Sequence, residues 1–488
     1  MLSDQTAFEV LCQQWENERI KVSQEVYNQY AGFTVDENKR QKAAQETIQI
    51  AEKVLEQKEE LPERLKLLAI SAISYARSLP LRDALNTKRI ETITHPEYRV
   101  ATTDTAVNWT NWRQFNANSQ TGERKAVYDE FLAKAIELKE TVQTILQEGA
   151  SIYQKFGSDP LSAYLYMENI GYDELHTLLL NLGEKTKSDF LDASEIYAKE
   201  VLEKEQLEYF DDMYLMRGKI YKSLNQHFKG IDDPLAFTLS HLHSMGFDTS
   251  RVAVDGEDRP GKHPSAICFS IQVPSDARIL FKKLNPFSDL ESVLHEFGHG
   301  LHGTAGSRDQ PFWQRYSISA AEAETFSIWC ESVLEYPSFL MNTVGLSKET
   351  IEDVLTRKRF MNLFFVVFYC ALSLTKLEYW KKELTPEETA KNFEKYSEQF
   401  YFQVPGMYIF LHHVLPEYLL YTPSYVIAAI RAAELNRYLA TEVGDEWWSQ
   451  AKTAGIISEM MAAHGKVDFS EFSKLDLRPY LEDFCRIG

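Results

Sequence analysis

The feature that most constrains this chain is the run Glu291 to Gly303, ESVLHEFGHGLHG, in which two histidines stand four apart and a glutamate follows the first. A helix advances about 3.6 residues per turn, so His295 and His299 share a face and their imidazoles can close on one metal ion. Neutral imidazole is a good zinc ligand, and a zinc site with three protein ligands and one open position lowers the pKa of bound water from about 15.7 to about 7. Glu296 would stand beside the ion, placed to take that proton. Ser288 and Glu291 have the S-x-x-E spacing of a capping box, which predicts a helix start just before the motif. Gly298, Gly300 and Gly303 mark its later turns as places of close backbone approach or termination.

Two histidines leave a ligand missing. In HExxHxxGxxH enzymes it is a third histidine, but here the glycine position holds His302 and the last histidine position holds Ala305. A second capping box, Ser319 with Glu322, opens the helical segment SAAEAETFSIWCESVL. Glu324 and Glu331 lie seven apart on one face of it, whereas Glu322 points elsewhere and reads as a capping residue. Helical spacing leaves Glu324 and Glu331 both open as the third ligand. A zinc-bound histidine usually passes its second N–H to a carboxylate, a role for which Glu291 and Glu331 are both placed.

The blocks HEFGHGLH and ETFSIWCE resemble the thimet oligopeptidase and oligoendopeptidase F family of zinc peptidases. The resemblance implies that Glu324 is the third ligand, joining His295 and His299 on one Zn²⁺. It also implies roles for a histidine and two tyrosines near the C terminus, and His413, Tyr418 and Tyr425 match that spacing in HHVLPEYLLYTPSYV. Their task would be to donate to the oxyanion of the reacting carbonyl, Tyr425 first among them, a contribution of about 3 kcal/mol. A third block, EDRPGKHPSAICF, matches the Arg/Pro-Gly-Lys segment that leads to a strand bordering the cleft, with Arg259 and Lys262 either touching substrate or shaping the turn. By resemblance the body is two-lobed and mainly α-helical, with a deep channel that admits short peptides and excludes folded proteins. The implied activity is hydrolysis of peptide bonds, with Glu296 moving a proton from the attacking water to the leaving amine. A carboxypeptidase or dipeptidyl carboxypeptidase of similar helical build is the alternative. A helical binding protein with a structural zinc site is a third reading, weakened because such a site needs ligands and no base. The chain departs from the family in having TPSYVIA where glycine-rich sequence is usual, and in its shorter length of 488 residues.

The formal charge of −20 argues against nucleic acid or an anionic membrane as a partner, because both need a basic face. Cys12, Cys268, Cys330, Cys370 and Cys485 are scattered, with no CxxC pair, and MLSDQTAFEV lacks a basic stretch followed by an apolar core. Both point to reduced thiols in a cytoplasmic enzyme. The longest apolar run, Leu363 to Leu374, is short of the roughly twenty residues of a membrane span and reads as a buried core helix.

Helical periodicity predicts a helical N-terminal lobe over 1–230 and a catalytic region over 231–488. Within the first, helices reach about Pro80, periodicity fades over 81–122, and helices resume at Glu123 with breaks near Gly183 and Phe210. Three short runs, 251–254, 266–273 and 277–281, predict a small β-sheet beside the HExxH helix. Thr385, Pro386 and Glu388 supply a cap, a first-turn proline and a capping-box acid for a later helix.

Overall fold

The computed structural model of the chain describes residues 2–57, 61–90, 96–101, 104–109, 111–263, 265–283, 285–411 and 418–487, the side chains of residues 2–7, Ile90 and Arg217 aside. The fold is mainly α-helical. Helices α1 (Leu2–Ala31), α2 (Glu37–Leu55) and α3 (Glu63–Ile90) lead into a two-stranded pair, β1 (Arg99–Val100) and β2 (Thr105–Ala106). Then come α4 (Trp112–Asn116), α5 (Thr121–Lys155), α6 (Pro160–Glu168), α7 (Tyr172–Leu202) and α8 (Asp212–Leu215). A π-turn joins α8 to α9 (Tyr221–His227), and α10 (Pro234–Met245) precedes the main sheet of β3 (Val252–Asp255), β4 (Ile267–Gln272) and β5 (Asp276–Leu280). The remainder comprises α11 (Pro286–Thr304), α12 (Phe312–Tyr316), α13 (Ala320–Glu331), α14 (Pro337–Phe339), α15 (Lys348–Lys382), α16 (Pro386–Phe400), α17 (Thr422–Glu442), α18 (Ala451–Ala462) and α19 (Leu477–Pro479).

Local caps account for many of these starts. Asp233 accepts from the N–H groups of Leu235 and Ala236 ahead of α10, and Ser347 accepts from Thr350 ahead of α15. Thr385 and Glu388 close a reciprocal capping box on α16 with Pro386 in its first turn. Within α15, Leu363 to Leu374 is largely core. Helix α3 runs on through Pro80, because burial of Leu79 and Leu85 outweighs the hydrogen bond a proline removes. Gly183 does not break α7. A Cβ there would stand 2.9 Å from the Phe400 ring, so the glycine lets α7 close on α16.

The main sheet has the order β3-β5-β4, with β3 parallel and β4 antiparallel to the central strand. Helix α11 lies on one face of it, where Gly300 approaches Val252 and Gly303 approaches the Ser270 hydroxyl. Helix α1 packs with the sheet as well: Tyr27 and Ala31 share a buried cluster with Ile271 and Leu280, and the Tyr27 ring stands edge-on to Phe269. Further along α1, Glu16 takes both guanidinium nitrogens of Arg315 at 2.6 and 2.8 Å and the Tyr316 hydroxyl at 3.0 Å. That buried pair ties α1 to α12, the short helix that leads into α13.

Candidate metal centre

The centre is built where α11 and α13 touch. A Cβ on Gly298 would lie 2.4 Å from Ser327 Cα and 2.5 Å from the Phe326 carbonyl oxygen, so the two backbones meet within the HExxH motif itself. Ser319 caps α13 by accepting from the Glu322 N–H, which fixes the first turn that carries Glu324. The start of α11 is set differently from the Ser288–Glu291 box. Asp289 accepts from the Asn285 N–H at 2.8 Å, and Asn225 of α9 accepts from Phe287 at 2.9 Å and Ser288 at 3.4 Å. Glu291 is thereby free to turn outward, to the Lys358 ammonium at 2.9 Å and the Tyr221 hydroxyl at 3.0 Å.

Across that contact, Glu324 Oε2 faces His295 Nε2 at 3.5 Å and His299 Nε2 at 3.6 Å. One ligand atom from each of the three residues lies within 4.8 Å of the others. On a tetrahedral zinc with bonds near 2.05 Å, neighbouring ligand atoms stand about 3.4 Å apart, so the donor set fits the ion in kind and spacing. Glu324 is held from behind. Its Oε1 accepts from the Tyr421 hydroxyl at 2.6 Å, and its Oε2 accepts from Ser327 Oγ at 3.2 Å. Glu331 meets His295 Nδ1 at 3.2 Å, leaving Nε2 to face the centre. Glu291 does not touch either histidine; it sits one step further out, through Lys358, which also bonds Glu335.

Electrostatics separate the two neighbouring acids. Burial, with Glu324 adding its charge, pushes the Glu296 carboxyl up to about 7, although His295 pulls the other way. Glu324 is buried too, yet His299, His295 and the Tyr421 hydroxyl bring it down to about 2. A carboxyl poised near neutrality beside one held ionised is the division expected of a base and a ligand.

The remaining residues sort by distance from this group. Tyr425 packs at a tilt against Tyr369 and edge-on to Tyr421, with ring centroids at 4.9 and 5.3 Å, and its hydroxyl feels the charges of Glu324 and Glu296. Tyr418 is one ring further out, 6.1 Å from Tyr421, with the Arg82 guanidinium over it. His413 lies outside the described residues. His302 is buried against Phe326, and the Glu322 carboxylate turns inward to within 3.2 Å of its ring, so Glu322 lends α13 only its N–H at the cap. Arg259 and Lys262 both grip Asp255, at 2.6 and 3.0 Å, and shape the turn after β3. Tyr421 is the contact that motif spacing missed; its one signal was a place one helical turn before Tyr425. The centre opens into a cavity of about 1690 Å³ lined also by α8, α9 and the residues just before β4.

No family model matches the chain, and no curated protein matches it. Solved structures do share the fold. Trypanosoma cruzi metallocarboxypeptidase 1 superposes with a TM-score of 0.61 over 100% of both chains at 13% identity. A protein named BsuCP superposes with a TM-score of 0.59 over 99% of this chain and 98% of its own, at 12% identity.

Proposed function

We propose that this chain is a zinc-dependent peptidase acting on short peptides. The observation that carries the proposal is the convergence of His295, His299 and Glu324 with Glu296, pushed up to about 7, on the next position of the same helix. His295 and His299 through Nε2 and Glu324 through Oε2 would hold the ion. When bound, it would polarise the scissile carbonyl and make water a nucleophile near neutral pH.

The chain's own groups do the rest. Glu296 takes the proton of the attacking water and returns it to the leaving amine, a shuttle suited to a carboxyl titrating near neutrality. Tyr425 donates its hydroxyl proton to the carbonyl oxygen as charge develops there. Tyr421 keeps the Glu324 carboxylate aimed, and Glu331 keeps the His295 ring aimed. The sheet order leaves one side of β4 without a strand partner among the described residues, and Ala266, just before it, lines the cavity. An extended peptide would find main-chain partners there.

Of two modes of cleavage, removal of C-terminal residues has the better support, because the fold matches a protein named a metallocarboxypeptidase from end to end. Internal cleavage draws its support from the motif blocks alone. A mixed peptide library, with free and amidated C termini, digested with and without a chelator and read by mass, separates them: a carboxypeptidase leaves the amidated half intact. Glu296→Gln should retain zinc and lose at least about 10²-fold in rate. Undiminished hydrolysis by that variant would refute the mechanism.

A further inference from the structure

One wall of the cleft is α9, and its charge is of one sign. Tyr221 and Asn225 turn from α9 into α11, the first to Glu291 and the second to the N–H groups of Phe287 and Ser288. At about 100° per residue, Lys222 and Gln226 fall together on the next face of the helix, and Lys229, just past its end, continues the row. All three are exposed and line the same cavity as His295 and Glu296.

Lys222 and Lys229 have no ion-pair partner among the described residues, whereas other charges along the cleft are committed. Lys262 is paired with Asp255 and Lys282 with Asp258. Among the acids, Asp289 takes the Asn285 N–H, Glu291 takes Lys358 and Tyr221, Glu331 takes His295, and Asp212 takes the Tyr128 hydroxyl. A chain with a formal charge of −20 thus presents two unneutralised ammonium groups on the wall of the cavity that holds His295 and Glu296. Such a patch attracts anions to a surface that elsewhere repels them.

We propose that the row Lys222, Gln226, Lys229 receives a carboxylate of the bound peptide, either its C-terminal group or an acidic side chain. This rests on the peptidase reading. Asn225 and Tyr221 fasten the row to the helix that carries His295 and His299, so a carboxylate held there fixes which peptide bond lies at the centre.

The test uses matched fluorescent peptides that are neutral apart from one group: a free C terminus against its amide, and, within amidated peptides, Glu against Gln. Hydrolysis by the zinc-loaded chain gives kcat/KM, and anisotropy with the Glu296→Gln chain gives affinity. One carboxylate should confer an advantage of about tenfold, the sum of two exposed charge pairs, and the advantage should shrink with added salt. It should vanish or reverse in Lys222→Glu/Lys229→Glu. The single variants Lys222→Gln and Lys229→Gln, at exposed positions, should each lose about threefold of the preference. The arm that responds identifies terminal or side-chain carboxylate. No advantage for either carboxylate in the unmodified chain, or an undiminished one in the charge-reversed chain, overturns the proposal. Carboxylate-dependent binding without hydrolysis of any peptide would instead overturn the peptidase reading and leave the docking row standing.

Discussion

Gly298→Ala tests the geometry of the centre at its tightest point. The added Cβ would stand 2.4 Å from Ser327 Cα and 2.5 Å from the Phe326 carbonyl oxygen, and neither atom belongs to a side chain that can swing away. Carbon atoms in contact prefer about 3.5–4.0 Å, so α11 and α13 must part by about 1 Å. Metal ligands tolerate displacements of only about 0.2 Å, and the two helices that would part are the ones that carry the histidines and Glu324. Zinc affinity should therefore fall by about 10²-fold, a loss comparable to that of removing a partner that aims a ligand. Stability should change less, because overpacking costs about 1–3 kcal/mol while alanine in a helix recovers about 1 kcal/mol. Competition for zinc against a chromogenic chelator measures the first quantity, and thermal unfolding of the metal-free protein measures the second. Gly455→Ala in α18 is the control, since its Cβ meets nothing within 4 Å; it should gain up to about 1 kcal/mol and bind zinc unchanged. If Gly298→Ala binds zinc like the unmodified chain and melts no lower, the two helices do not meet as described.

Three further outcomes follow from contacts around the centre. Tyr421→Phe removes the hydroxyl that aims Glu324 and should weaken zinc binding about tenfold while the far-ultraviolet circular dichroism spectrum stays unaltered. Glu168→Ala strips the buried carboxylate that accepts from Ser319 Oγ at 2.8 Å and the Ala321 N–H at 3.0 Å and lies 3.9 Å from Arg431; with those donors unsatisfied and buried Arg431 stripped of its largest compensating charge, chemical denaturation should show a loss of about 3 kcal/mol. Burial pushes the Asp212 carboxyl up to about 7, so the fold favours its neutral form; stability is fully present below the ordinary carboxyl range and declines as pH rises through about 7. Denaturation midpoints of Asp212→Asn and the unmodified chain should accordingly diverge in favour of the variant between pH 5 and pH 8.

What the sequence made legible was local. The HExxH helix, the caps at Ser319 and Thr385, and the close approach at Gly298, Gly300 and Gly303 each depend on residues a turn or two apart. The illegible parts depend on partners far away in the chain. Glu291 has the spacing of a capping acid, but Lys358 and Tyr221 take it, and Asn225 caps the helix instead. Glu322 likewise has capping spacing but turns its carboxylate to buried His302. Pro80 and Gly183 look like stops, yet the packing of Leu79, Leu85 and Phe400 carries their helices through. Tyr421 lacked a family spacing to single it out among neighbouring aromatics, and only the folded arrangement brings its hydroxyl to Glu324.

The pairing of α1 with the sheet and with α12 bears on how the chain is made. Synthesis delivers Tyr27, Ala31 and Glu16 long before Ile271, Leu280 and Arg315 exist to receive them. Until then Cys12 and Trp15 can already pack with α2 and α3, while the end of α1 that bears Tyr27 and Ala31 still lacks its sheet partner, an exposed apolar surface of the kind chaperones bind. The Tyr421 hydroxyl arrives later still, so a nascent chain that captured zinc early would do so with an unsteadied Glu324.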